Sequence, residues 1–154
     1  MSDTHPDQLY FEDFVPGARF TSPSRTLGEA HFVAFAGITG DNHPLHYDVE
    51  YCRAHGHPER LSHGLLNVAQ TVLGASSLAA RVHESMIAFL EQSARFLGPV
   101  YVGDTLYPSL TVTETRPGNT TGTVTLRCEL HNQRRELVLE GTHTYLVRRR
   151  PGEG

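Results

Sequence analysis

The sequence predicts an α+β fold in which one antiparallel sheet curls round a buried helix. Three observations lead to that expectation. Residues 64–82 are apolar or small on nearly every side, as a helix packed against protein all round must be. Beyond that segment the hydrophobic period changes from 3.6 to 2, so residues alternate between a buried and a solvated face. Pro117-Gly118-Asn119 and Asn132-Gln133 interrupt the alternation where hairpin turns are needed. Together they describe a meander with one apolar face and a helix to cover it.

Taken in order, residues 1–8 are expected to be disordered, residues 9–147 to form the domain, and residues 148–154 to be a disordered tail. Thr26-Leu27-Gly28-Glu29 reads as a capping box, opening a helix with Phe32, Phe35 and Ala36 on one face and Gly37 as its stop. A short second helix follows Asp48, carries Tyr51 and Cys52, and ends near Gly56. The long helix runs from Gly64 to Val82 with Ser62 as N-cap. Three strands then follow. Leu110 and Val112 alternate with threonines. Val124, Leu126, Cys128 and Leu130 form the second apolar row, and Leu137, Leu139, His143, Tyr145 and Val147 the third.

Composition excludes several roles. A chain of 154 residues is one domain, able to bury roughly 70% of its extended surface. A net charge of −4 gives no electrostatic footprint for nucleic acid. Every basic residue is arginine, and Arg148-Arg149-Arg150, beside Pro151, reads as a solvated tail. Cys52 and Cys128 make no metal spacing or disulfide framework, which suits reduced thiols and a cytoplasmic location. Residues 1–6 lack the apolar core of a signal peptide, and residues 64–82 are too polar to span a membrane.

The most informative stretch is Gly40-Asp41-Asn42-His43-Pro44-Leu45-His46. No regular helix runs through Pro44, and His43 before it is pushed toward an extended conformation. Asp41 and His46 therefore fall on a loop, where a carboxylate and an imidazole can converge on one small molecule. Such a pair suits proton transfer through a water molecule. The competing reading is a turn-capping Asp41 and an ordinary surface His46.

Residues Phe32 to His46 resemble the hydratase motif of the MaoC-like dehydratases, the R-specific enoyl-CoA hydratases. Three further segments match in order: Phe14-Val15-Pro16-Gly17, Ser62-His63-Gly64-Leu65, and Arg95 to Leu106. The resemblance spans about residues 10–147 and implies a single hotdog domain that dimerises through its sheet. It implies that Asp41 and His46 are the catalytic acid/base pair, that the Gly64 N–H polarises a thioester carbonyl, and that His43, Asn42, Ser62 and His63 contact substrate. The implied partner is an acyl-CoA or acyl-carrier thioester, with no cofactor and no metal. The implied reaction is reversible hydration of a 2-enoyl thioester to the 3-hydroxyacyl form. Gly64 opens a helix, where N–H groups lack partners and the dipole is positive, so the carbonyl role has a physical basis; simple helix entry is the alternative. The family usually carries asparagine immediately before the proline; this chain has His43 there, with Asn42 one place earlier.

Two other classes share the fold. Hotdog thioesterases generally place a carboxylate on or near the central helix, whereas residues 65–83 contain no Asp or Glu. A non-catalytic thioester-binding module would not need the Asp41/His46 pair. Within the hydratase class, a dehydratase of a branched, dicarboxylic or polyketide-type acyl chain is the runner-up. The ten histidines raise the question of zinc, through His43-x-x-His46 and His55-x-His57 with His63 nearby. The spacings match no known finger or zincin helix, and no metal is expected. Asp104, after Gly103, reads as a turn former.

Overall fold

A computed structural model describes residues 7–152. Its strands are β1 (Arg19–Thr21), β2 (Arg25–Thr26), β3 (Met86–Phe96), β4 (Thr105–Pro117), β5 (Thr121–His131) and β6 (Leu137–Arg148). The helices are α1 (Glu29–Thr39), α2 (Val49–Ala54) and α3 (Gly64–Ala69). The antiparallel sheet has the order β1-β4-β5-β6-β3, with β2 also paired to β4.

The expected meander is β4-β5-β6. Leu126 pairs with Val112 on one side and His143 on the other, so the alternating rows stack into one buried face. Threonines line the opposite face, where the Thr125 and Thr144 hydroxyls meet at 3.1 Å. The β5–β6 turn is longer than Asn132-Gln133. Asn132 Oδ1 accepts the N–H groups of Arg134 and Glu136, and Arg135 adopts the left-handed region at φ 63°. Asp104 is a turn former as read: its carboxylate accepts the Tyr101 N–H at 2.8 Å and the Gln133 amide at 2.6 Å.

The segment that covers the buried face differs from expectation. It is buried, with Leu66, Leu73, Leu78 and Val82 in the core, but the α-helix stops at Ala69. Short 3₁₀ turns follow at Leu73–Ala75 and Ala79–Arg81. The reason lies in the hydroxyls. Thr71 Oγ1 donates to the Val68 carbonyl, Ser76 Oγ donates to the Leu73 carbonyl, and Ser76 Oγ accepts the Leu78 N–H. These local bonds replace the helical ladder. Ser62 is not the N-cap either. It donates to Asn67 Oδ1 at 2.7 Å, and His63 occupies the cap position.

α1 is displaced at both ends. Thr26 lies in β2, bonded to Thr105, and Gly28 is the N-cap; its N–H donates to His31 Nδ1 at 3.0 Å, the reach-back expected of Glu29. The helix passes through Gly37 and stops at Gly40, whose φ of 76° glycine adopts without strain. α2 forms as read, with Asp48 Oδ1 accepting the Tyr51 N–H.

The C-terminal arginines are not a solvated tail. Arg148 ends β6, Arg149 Nε donates to Glu12 at 2.7 Å, and Arg150 Nη2 donates to Asp13 at 2.6 Å. Arg149 holds the Glu12 carboxyl below the usual carboxylate range. At the other end Gln8 Nε2 donates to the Ala80 carbonyl. The remaining residues expected to be disordered, 1–6 and 153–154, lie outside the described residues. Among the described residues no helix is long and apolar enough to cross a membrane.

Candidate active site

The left-handed turn at Gly40 swings the chain out of α1, and Pro44 opens a 3₁₀ turn over Pro44–His46. Proline suits that first position, since its missing N–H would have no partner there. His43 is extended before it, as its sequence position requires, and its Nδ1 accepts the Leu45 N–H. Two loops are then clasped together: the Leu61 N–H donates to the Leu45 carbonyl, and His46 Nδ1–H donates to the Leu61 carbonyl at 2.8 Å.

That last bond decides the chemistry of His46. A carbonyl only accepts, so Nδ1 carries a proton, and in the neutral ring this leaves the lone pair on Nε2. Nε2 lies 3.8 Å from Asp41 Oδ2, with the side chains 15% and 51% exposed respectively. The separation is too long for a direct hydrogen bond and short enough for one water to touch both groups.

His63 lies behind the pair. It is 1% exposed, its ring stacks on His46 at 3.7 Å with the planes 22° apart, and Phe32 and Phe35 of α1 enclose it. Its Nε2–H donates to the Asp41 carbonyl at 3.0 Å. Burial pushes its pKa down, which favours the neutral ring.

These groups wall a pocket of about 320 Å³. Asp41, Asn42, His46 and His63 line it with α1 residues Phe32, Val33 and Ala36, and with Tyr47, Glu29 and Arg60. His43, Ser62 and Gly64 do not line it. His43 turns its ring edge toward Tyr51, Ser62 is buried on Asn67, and Gly64 follows His63 as the first residue of α3. Among the described residues the Gly64 N–H meets no protein acceptor. The Phe96 ring comes to 3.1 Å from where a Cβ at Gly64 would stand, so a side chain there would displace it. Arg60 was not legible as a site residue, since no spacing or periodicity marks it. It is ion-paired to Glu29 at 2.9 Å and Glu59 at 3.2 Å.

Asp41, His46 and His63 each offer a ligand atom within 4.8 Å of the others. One carboxylate and two imidazoles is a donor set that zinc accepts. Here the two rings are stacked face to face with planes 22° apart, so their in-plane lone pairs lie in separate, near-parallel planes, and His63 Nε2 is already a donor. The arrangement fits a tetrahedral metal poorly. The other histidines considered for zinc are engaged too: His55 Nδ1 with the Tyr51 carbonyl and His57 Nδ1 with the Tyr101 hydroxyl.

A family model described as "MaoC like domain" matches residues 13–133, from the start of the domain to the β5–β6 turn. The chain belongs to the MaoC-like family. A relative named (R)-specific enoyl-CoA hydratase, from Rhodospirillum rubrum, is 29% identical over 138 residues, covering 90% of this chain and 91% of that one. A monoamine oxidase regulatory protein from Archaeoglobus fulgius superposes with a TM-score of 0.87 at 34% identity, covering 94% and 97% of the two chains. A Mycobacterium tuberculosis protein with a double hotdog fold superposes at 0.77 and 29% identity, over 96% of this chain and 46% of that one. The sheet and its buried covering segment are thus a single hotdog domain. In this MaoC-like domain the Asp41–His46 loop lies inside the matched segment, and the edge strand β3 does as well.

Proposed function

We propose that the protein is a hydro-lyase that adds water reversibly across the 2,3 double bond of a trans-2-enoyl thioester, such as an enoyl-CoA, to give the 3-hydroxyacyl thioester. The observation that carries this reading is the 3.8 Å gap between Asp41 Oδ2 and His46 Nε2 on the wall of one pocket. A water held there is oriented by Asp41 while the neutral His46 Nε2 takes its proton. The oxygen bonds to C3, the electron pair of the double bond moves to C2 and the thioester oxygen, and the acid/base pair returns a proton to C2. The unpartnered Gly64 N–H at the start of α3 is the donor for the developing oxyanion. The name carried by the Rhodospirillum rubrum relative supports the same chemistry.

The pocket, about 320 Å³, lies at the small end of ligand sites and suits a short acyl chain. Arg60 is already neutralised by Glu29 and Glu59, which leaves no free cation there for a second carboxylate. That favours a monocarboxylic chain over the dicarboxylic alternative. The partner surface follows from the sheet. Among the described residues β3 pairs only with β6, and it exposes Ile87, Phe89, Leu90 and Phe96 at 43–56%. A long apolar edge of this kind is suited to pairing with a second copy of the chain.

The test is to follow loss of the conjugated double bond with purified protein on trans-2-enoyl-CoAs of increasing length, with free thiol assayed in parallel. Hydration without thiol release, fastest for short chains, is expected from a species of twice the 17.1 kDa chain mass. Thiol release with the double bond intact would assign a thioesterase instead, and a monomeric active species would remove the β3 pairing.

A further inference from the structure

The pair rests on a second imidazole, His63, whose position a surface or substrate-contacting histidine would not explain. Asp41 follows a helix end and half its side chain is in solvent; its backbone is tied by its own N–H to Thr39 Oγ1 at 3.2 Å and through its carbonyl to His63. His46 is tied at Nδ1 alone, and one hydrogen bond leaves its ring free to tilt about that contact. The face of His63 stacked at 3.7 Å removes that freedom. His43 also meets both through its backbone but belongs to the same turn; His63 reaches both from outside that turn, one residue before α3.

We propose that His63 is the positioning residue of the acid/base pair, bracing the His46 ring by stacking and the Asp41 backbone through Nε2–H. This rests on the hydratase reading above. Packing alone does not account for a histidine here. His63 Nδ1 is buried without a protein partner, a polar atom that a phenylalanine of similar size would not bury. The donor on Asp41 is what the imidazole adds. The charged groups facing the ring are His46 and Asp41 themselves; α1 presents Phe32 and Phe35, and Glu29 and Arg60 on the pocket wall are paired to each other. A neutral ring against His46 also keeps a second positive charge away when His46 takes the water's proton.

Two substitutions separate the two contacts. His63→Phe keeps the stack and loses the donor; His63→Gln keeps a donor and loses the stack. Each should lower kcat by about 10–100-fold with KM within about threefold, because misplacing a reacting group by an ångström can cost about 10². In a His46→Ala background either change should cost less than about threefold, since residues that act as a unit are non-additive. Equal losses in both backgrounds, or a raised KM with kcat unchanged, would overturn the proposal, the latter in favour of a substrate contact. Proton NMR of the His46 ring gives a readout that needs no turnover. Its ring-current shift should persist in His63→Phe and vanish in His63→Gln. An unmoved signal in His63→Gln would overturn the brace even if the wild-type protein hydrated no enoyl thioester, an outcome that would overturn the reading of the reaction separately.

Discussion

Asp41→Asn and His46→Gln should each lower turnover of an enoyl thioester by about 10²–10⁴ while the protein stays folded. The two losses have different origins. Asparagine keeps the shape of Asp41 and removes its charge, so the water loses a strong acceptor but the loop keeps its course. Among the described residues the Asp41 carboxylate makes a long 3.5 Å contact with the His43 N–H and lies 3.8 Å from His46 Nε2, so its charge contributes little to the fold. Glutamine at residue 46 removes the Nε2 lone pair together with the bond to Leu61 and the stack on His63. A stability loss of about 1 kcal/mol should accompany it, the ordinary worth of one hydrogen bond. Stopped or steady-state hydration assays beside thermal melts separate the effects. Near wild-type turnover in either variant would remove that residue from the mechanism.

Gly141→Ala should destabilise the protein by roughly 2–4 kcal/mol, a large fraction of the total stability of a domain. Gly141 lies in β6 opposite Ala94 of β3. A Cβ there would stand 2.0 Å from the Ser93 carbonyl oxygen and 3.0 Å from the Ala94 Cα, both backbone atoms. No side-chain rotation relieves that overlap, so β3 must move away from β6. Because β3 is also the proposed partner-facing edge, the variant should lose self-association as well as melting temperature. Denaturant unfolding and sedimentation measure the two. An alanine variant as stable as the parent would mean that the strands are spaced differently from the structure described.

The meander was legible because each of its strands has one face in the core, which writes an alternating row into the sequence. β3 was not. It exposes most of both faces as an edge strand, and bulges between Met86 and Ala88 and between Phe89 and Glu91 break its register, so no period survives. The extent of α3 was misread for a different reason. A run of apolar and small residues shows that residues 64–82 are buried, not which backbone buries them, and the hydroxyls of Thr71 and Ser76 decided that. At the site, Pro44 made the Asp41–His46 loop readable because its effect on the backbone is local. His63 belongs to the pocket through contacts 22 and 17 residues away in sequence, and Arg60 through an ion pair 31 residues away, which no spacing reveals. Of the residues read as substrate contacts, Asn42 and His63 line the pocket, while His43 and Ser62 are turned to their own neighbours.

The most direct measurement is the structure of the protein in complex with a 3-hydroxyacyl-CoA, the product of the proposed hydration. The 3-hydroxyl oxygen should lie within hydrogen-bond reach of both Asp41 Oδ2 and His46 Nε2, in the 3.8 Å gap between them, with the thioester oxygen on the Gly64 N–H. A complex that placed the thioester carbon, and not C3, beside that pair would contradict water addition and assign hydrolysis to the same two residues.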